Sequence, residues 1–156
     1  MTNIPDVGDR LPDIALVDAD DRPIRIGDFG GRRLVIFFYP KDDTPGCTAE
    51  NQEFSALAKD FEAAGVALLG VSKDPPARHR KFIAKYDLKL RLASDAASDG
   101  LSDALGFWAE KQNYGRSYMG MVRGSVLVDA DGRIARIWRK VKAKGHAAEV
   151  LAAVRG

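Results

Sequence analysis

The 156-residue chain is long enough for one domain with a buried core, and 46% hydrophobic with 29% charged residues excludes disordered, collagen-like and membrane classes. Its 24 basic and 22 acidic residues are mixed along the chain, so the net charge of +2 offers no basic field for nucleic acid. No apolar run approaches the roughly 20 residues that cross a bilayer, and the N-terminal stretch lacks a basic segment followed by an apolar one. The expectation is one domain over residues 1–156, cytoplasmic and off the membrane.

In chain order, "IALVDADDRPIRIGDF" places turn chemistry at residues 18–22 between two short strand-like pieces, which predicts a small N-terminal hairpin. "LVIFFYP", residues 34–40, is continuously apolar and rich in β-branched and aromatic residues, as in a strand covered on both faces. In "TPGCTAENQEFSALAKDFEAAG", Phe54, Leu57, Ala58 and Phe61 recur at helical spacing until Gly65, so one helix is predicted over the stretch. "VALLGVS", residues 66–72, follows directly, and strand, helix, strand implies a right-handed parallel crossover.

"DPPARHRKFIAKYDL" predicts a second helix with Asp74 as N-cap and Phe82, Ile83 and Tyr86 on one face. A short strand near "LKLRLAS" and a brief helix with Leu101 and Leu105, ending at Gly106, come next. "GSVLVDADGRIARIWRKV" is a hairpin about Asp131-Gly132, a dipeptide suited to the positive φ of tight turns. Val150, Leu151 and Val154 form the apolar stripe of a terminal helix. Together these elements give an α/β fold, a central mixed sheet with helices on both faces, in an order that matches a thioredoxin-like architecture.

Chemistry concentrates in "YPKDDTPGCTAE", which holds the only cysteine. A single thiol rules out an intramolecular disulfide framework and a multi-thiolate metal site, and a reducing compartment leaves it free. With Thr44 as N-cap, Pro45, Gly46 and Cys47 fill the first turn of the helix. There the unpaired N–H groups and the helix dipole favour a thiolate. A lone cysteine is ordinarily inert packing, but a first-turn thiol at the carboxyl edge of a sheet stands where α/β ligands bind. His79, between Arg78 and Arg80, and His146 form no metal or acid–base pair by spacing and are read as solvated. Trp108, Tyr114, Tyr118 and Met119 are read as packing rather than as a surface near the pocket.

Pro40, Thr44 and Cys47 fit P-x-x-x-T-x-x-C, and the chain here resembles the peroxiredoxins, in particular the Q, or bacterioferritin comigratory, subfamily. The resemblance continues through "GVSKD", "KFIAKYDL", "YGRSYMGMVRGSVLVDADGRI" and "KVKAKGHAAEVL", nearly the whole chain. It implies a thioredoxin-like fold and reduction of hydrogen peroxide and organic hydroperoxides by Cys47. It further implies that Thr44 offers its hydroxyl to the peroxide, that Pro40 shields the pocket, and that Arg123 stabilises the thiolate and the leaving oxyanion. Glu50, in "CTAE", supports that arginine in the same reading.

Many members of this subfamily carry a resolving cysteine five residues after the first, where this chain has Gln52. The resemblance thus implies a one-cysteine mechanism in which an external thiol meets the sulfenic acid. Thioredoxin, glutathione or glutaredoxin are the implied donors, and a monomer or weak homodimer the implied assembly. No cofactor or metal is expected, since the chain has no G-x-G-x-x-G fingerprint and no paired ligands. The competing readings are a thiol redox sensor, a structural or chaperone role, and a thiol–disulfide oxidoreductase. The last lacks the second sulfur of a C-x-x-C pair, having Thr44 in its place.

Overall fold

A computed structural model describes residues 4–97 and 99–156. Its main sheet has seven strands in the order β2-β1-β5-β4-β3-β8-β9. These are β1 (Leu16–Asp18), β2 (Pro23–Ile24), β3 (Arg33–Phe38), β4 (Val66–Ser72), β5 (Leu92–Ser94), β8 (Gly124–Val128) and β9 (Ile134–Trp138). β3, β4 and β5 run parallel, while β1, β2, β8 and β9 pair antiparallel, so the sheet is mixed as expected.

β3 sits centrally because it can fill both faces. Leu34, Ile36 and Phe38 enter one apolar cluster, while Val35, Phe37 and Tyr39 enter the other. The second cluster is closed by Phe54 of α1 (Pro45–Ala56), Phe61 of α2 (Ala58–Ala63), Phe82 of α3 (Pro76–Tyr86) and Val150, Leu151 and Val154 of α5 (His146–Arg155). Phe29 of a one-turn 3₁₀ helix (Ile26–Phe29) and Leu101 of α4 (Leu101–Ala104) close the first. Helices therefore cover both faces, and the N-terminal hairpin β1–β2 extends one edge.

Five expectations change. The first long helix divides at Leu57 (φ −99°, ψ 3°), whose N–H is shared between the carbonyls of Glu53 at 3.2 Å and Phe54 at 3.1 Å. That tightening toward 3₁₀ spacing is a backbone event that side-chain periodicity does not report. Asp74 does not cap α3, whose N-cap is Pro75; its buried carboxylate accepts instead from the Ser72 hydroxyl and the Asp42 N–H. In the β8–β9 hairpin only Gly132 takes positive φ, and the Asp129 carboxylate accepts from the N–H groups of Asp131 and Arg133, giving a longer loop than a two-residue turn.

His79 and His146 are buried, not solvated, at 0% and 2% exposure. Arg78 and Arg80 beside His79 are exposed, but on their helices His79 lies three residues from buried Phe82, and His146 lies beside buried Ala147 and four from buried Val150. Last, a two-stranded ribbon of β6 (Trp108–Asn113) and β7 (Arg116–Met121) stands apart from the main sheet. Tyr114 (φ 51°) and Gly115 (φ 76°) make its two-residue turn, and its polar strands gave no alternation to read. Tyr114, Tyr118 and Met119 on this ribbon are exposed rather than packed.

Candidate active site

α1 begins as the sequence predicts, with Thr44 as N-cap and Pro45 in the first turn. Thr44 does not cap with its side chain; its hydroxyl donates to the Lys41 carbonyl at 2.9 Å, and its own carbonyl accepts from the Thr48 N–H at 2.8 Å. Cys47 follows in that first turn, 1% exposed and part of the apolar cluster that also holds Tyr39 and Phe54. On one side of Cys47 lies the helix start, whose first N–H groups have no intrahelical partner.

From the other side comes Arg123, 76 residues away, in the segment between β7 and β8. Its Nη2 lies 3.4 Å from Cys47 Sγ, and its Nη1 lies 2.5 Å from Glu50 Oε1. One planar fork thus spans thiol and carboxylate, which a lysine has no geometry to do. The Arg123 carbonyl accepts from the Val141 N–H at 3.0 Å, tying the segment to the chain beyond β9. A methyl on Gly46 would stand 3.3 Å from Arg123 Nη2, so the bare backbone at that position leaves the guanidinium its place.

Glu50 is fully buried, and its Oε2 has no partner among the described residues. Burial pushes its carboxyl up to about 7, against the pull of Arg123. Pro40 and Arg123 share the wall of a cavity of about 700 Å³ with Val122, Val141, Lys140 and residues 110–112 of β6. The structure therefore brings Arg123 into direct contact with both Cys47 and Glu50 and sets Pro40 on the same cavity as Arg123. Thr44 stands at the helix start with its hydroxyl turned to Lys41. Gln52 lies exposed on α1.

Sequence reading missed Asn51, whose Nδ2 donates to the Cys47 carbonyl at 2.9 Å. Its position four residues after the cysteine on a helix was the available signal. His146 is also near this face: its Nε2 lies 2.8 Å from Ser125 Oγ and its Nδ1 3.0 Å from Glu149 Oε1. Burial holds its imidazole below the usual range, against Glu149.

A mixed sheet flanked by helices, with a thiol in the first turn of the helix after a central parallel strand, defines a thioredoxin-fold thiol protein. The chain belongs to the AhpC/TSA family, whose model it matches over residues 7–137. It is 38% identical over 146 residues to Peroxiredoxin Bcp of Bacillus subtilis, covering 94% of this chain and 92% of that one. Against Peroxiredoxin Bcp of Xanthomonas campestris it is 44% identical over 125 residues, 80% of this chain and 78% of that one. Among solved structures it superposes with a TM-score of 0.88 and 38% identity on Xanthomonas campestris bacterioferritin comigratory protein, covering 96% of this chain and 98% of that one. That structure comes from work on the alkyl peroxide reduction activity of the Xanthomonas protein. Peroxiredoxin Q from Xanthomonas campestris has been solved as serine variants of two different cysteines, whereas this chain has one cysteine.

Proposed function

We propose that the chain is a one-cysteine thiol peroxidase that reduces hydrogen peroxide and alkyl hydroperoxides with Cys47. The observation that carries this reading is the Arg123 fork, in contact with both Cys47 Sγ and Glu50 at the start of α1. A fixed cation beside the sulfur stabilises the thiolate in the ground state. It also stabilises the oxyanion that develops as the O–O bond breaks, where preorganised charge contributes most.

In the first step the Cys47 thiolate attacks one peroxide oxygen, the O–O bond breaks, and the other oxygen leaves as alkoxide or hydroxide and takes a proton. Cys47 is oxidised to the sulfenic acid. An external thiol condenses with it, forming a mixed disulfide and water, and a second thiol returns Cys47 to the thiol while the two donors leave as a disulfide. Pro40 shields the pocket, Thr44, whose hydroxyl proton goes to the Lys41 carbonyl, offers its oxygen to accept from the peroxide, and Glu50 holds the arginine. With no second cysteine in the chain, thioredoxin, glutathione or glutaredoxin supplies the electrons. A free thiol of this kind fits the reducing cytoplasm.

The test is the second-order rate of Cys47 oxidation by hydrogen peroxide at neutral pH, on fully reduced protein, against a small-molecule thiol. The expected rate exceeds the free thiol by several orders of magnitude, because the site binds the transition state more tightly than the reactants. Equal rates would reject the peroxidase reading.

A further inference from the structure

The loop between β3 and α1, residues 39–44, carries both Pro40 and Thr44, yet little of what fixes it belongs to β3 or α1. Asp42 is only 2% exposed, and three contacts from beyond β4 converge on it. The Asp74 carboxylate accepts its N–H at 2.8 Å, the Arg78 guanidinium donates to its carbonyl at 3.4 Å, and His79 Nδ1 stands 2.7 Å from its Oδ2. Its other oxygen accepts the Tyr39 hydroxyl at 2.5 Å. His79 is 0% exposed, and its Nε2 lies 3.0 Å from the Ala93 carbonyl of β5, an oxygen that can only accept. Nε2 is therefore placed to donate to that carbonyl, while Nδ1 lies against Asp42 Oδ2 and 3.4 Å from the Tyr39 hydroxyl. The imidazole is held at both ends and has no access to water or substrate.

The next residue shows the same dependence on α3. Asp43 is a non-glycine residue at φ 60°, a left-handed conformation that persists only where its surroundings impose it. Its carboxylate accepts from Lys85 Nζ at 2.8 Å and from the Tyr86 hydroxyl at 2.6 Å, both on the last turn of α3. α3 therefore grips two consecutive loop residues, one from inside the protein and one from outside.

We infer that α3 sets the geometry with which the loop presents Pro40 and Thr44 to a peroxide, with His79, acting through Asp42, as the principal positioning residue. This rests on the peroxidase reading of Cys47. None of these α3 side chains touches the sulfur, so the inference separates two properties of the site. Nucleophilicity of Cys47 depends on Arg123 and the start of α1; alignment of the peroxide depends on the loop. A displacement of about 1 Å in such alignment is enough to cost on the order of 100-fold.

The experiment compares two rates on the reduced protein: oxidation of Cys47 by hydrogen peroxide and alkylation of Cys47 by iodoacetamide, which needs the thiolate but no peroxide alignment. His79→Gln is expected to slow oxidation about 10- to 100-fold while alkylation changes less than about threefold. Asp43→Gly is the companion variant, since glycine takes positive φ without strain and so keeps the folded loop while losing both grips. It is expected to slow oxidation about tenfold with alkylation again spared. Oxidation within twofold of the unaltered protein in the folded glycine variant, or oxidation and alkylation falling together in both variants, overturns the inference. If the unaltered protein reacts with peroxide no faster than a free thiol, the functional reading fails and this inference with it; fast oxidation throughout the series fails the inference alone.

Discussion

Glu50 places a carboxyl where charge is costly, with one oxygen on Arg123 and the other unpartnered among the described residues. Burial raises it from 4.5 to about 7, so between those values the folded protein keeps a proton that the unfolded chain has released. Stability from this group is therefore greatest below pH 4.5, declines as pH rises toward 7, and is flat above. Relative to Glu50→Gln, which cannot titrate, the unaltered protein is expected to lose stability steadily across that window. Urea midpoints of the two proteins at pH 5, 6 and 8 check it, and a difference that does not change with pH would contradict the assignment. Cys47 was legible in the sequence because a strand end, an N-cap and a first-turn thiol follow one another within eight residues, whereas the roles of Thr44 and Pro40 toward a peroxide came from the resemblance. Arg123 was not legible from spacing: only resemblance singled it out from 24 basic residues, since its approach to the sulfur is made by tertiary folding.

Elements position the site through close packing where strands begin. Gly124 opens β8 directly after Arg123, and a Cβ there would run into the Phe107 ring and the Trp138 carbonyl. One of those obstacles is backbone, which cannot rotate away, so Gly124→Ala is expected to cost about 1–3 kcal/mol through overpacking. Because the displaced segment carries Arg123, peroxide oxidation of Cys47 should slow in the same variant. Chemical denaturation and stopped-flow oxidation together check it; normal stability with a normal rate would show that β8 can absorb the methyl. Period and turn chemistry predicted β3, β4, α3, the β8–β9 hairpin and α5, whose apolar patterns are strong. They did not reveal the β6–β7 ribbon, whose strands are mostly exposed and polar, nor the break at Leu57, which is a matter of shared backbone hydrogen bonds.

At the scale of the whole molecule, a single cysteine sets the stoichiometry of the proposed reaction. Without an external thiol each chain is expected to consume one equivalent of peroxide and stop with Cys47 as a sulfenic acid, or half an equivalent where that sulfenic acid condenses with Cys47 of a second chain to a disulfide and water. Intact-mass measurement after one equivalent of peroxide should show one added oxygen or a linked dimer, and addition of a reducing thiol should restore the starting mass. Continued turnover in the absence of any thiol would contradict a one-cysteine cycle.

The sequence by itself determined the class of fold, the thiol at the helix start and the lack of a second sulfur, because these depend on local periodicity, capping and composition. Tertiary structure alone decided which charges meet that thiol. Arg123 reaches both Cys47 and Glu50, and His79, Lys85 and Tyr86 converge on the loop before them, through contacts spanning 37 to 76 residues that local patterns do not encode. The two histidines make the same point, since whether an imidazole faces water or the interior depends on what the neighbouring elements bring to its helix face, Asp42 for His79 and Ser125 for His146.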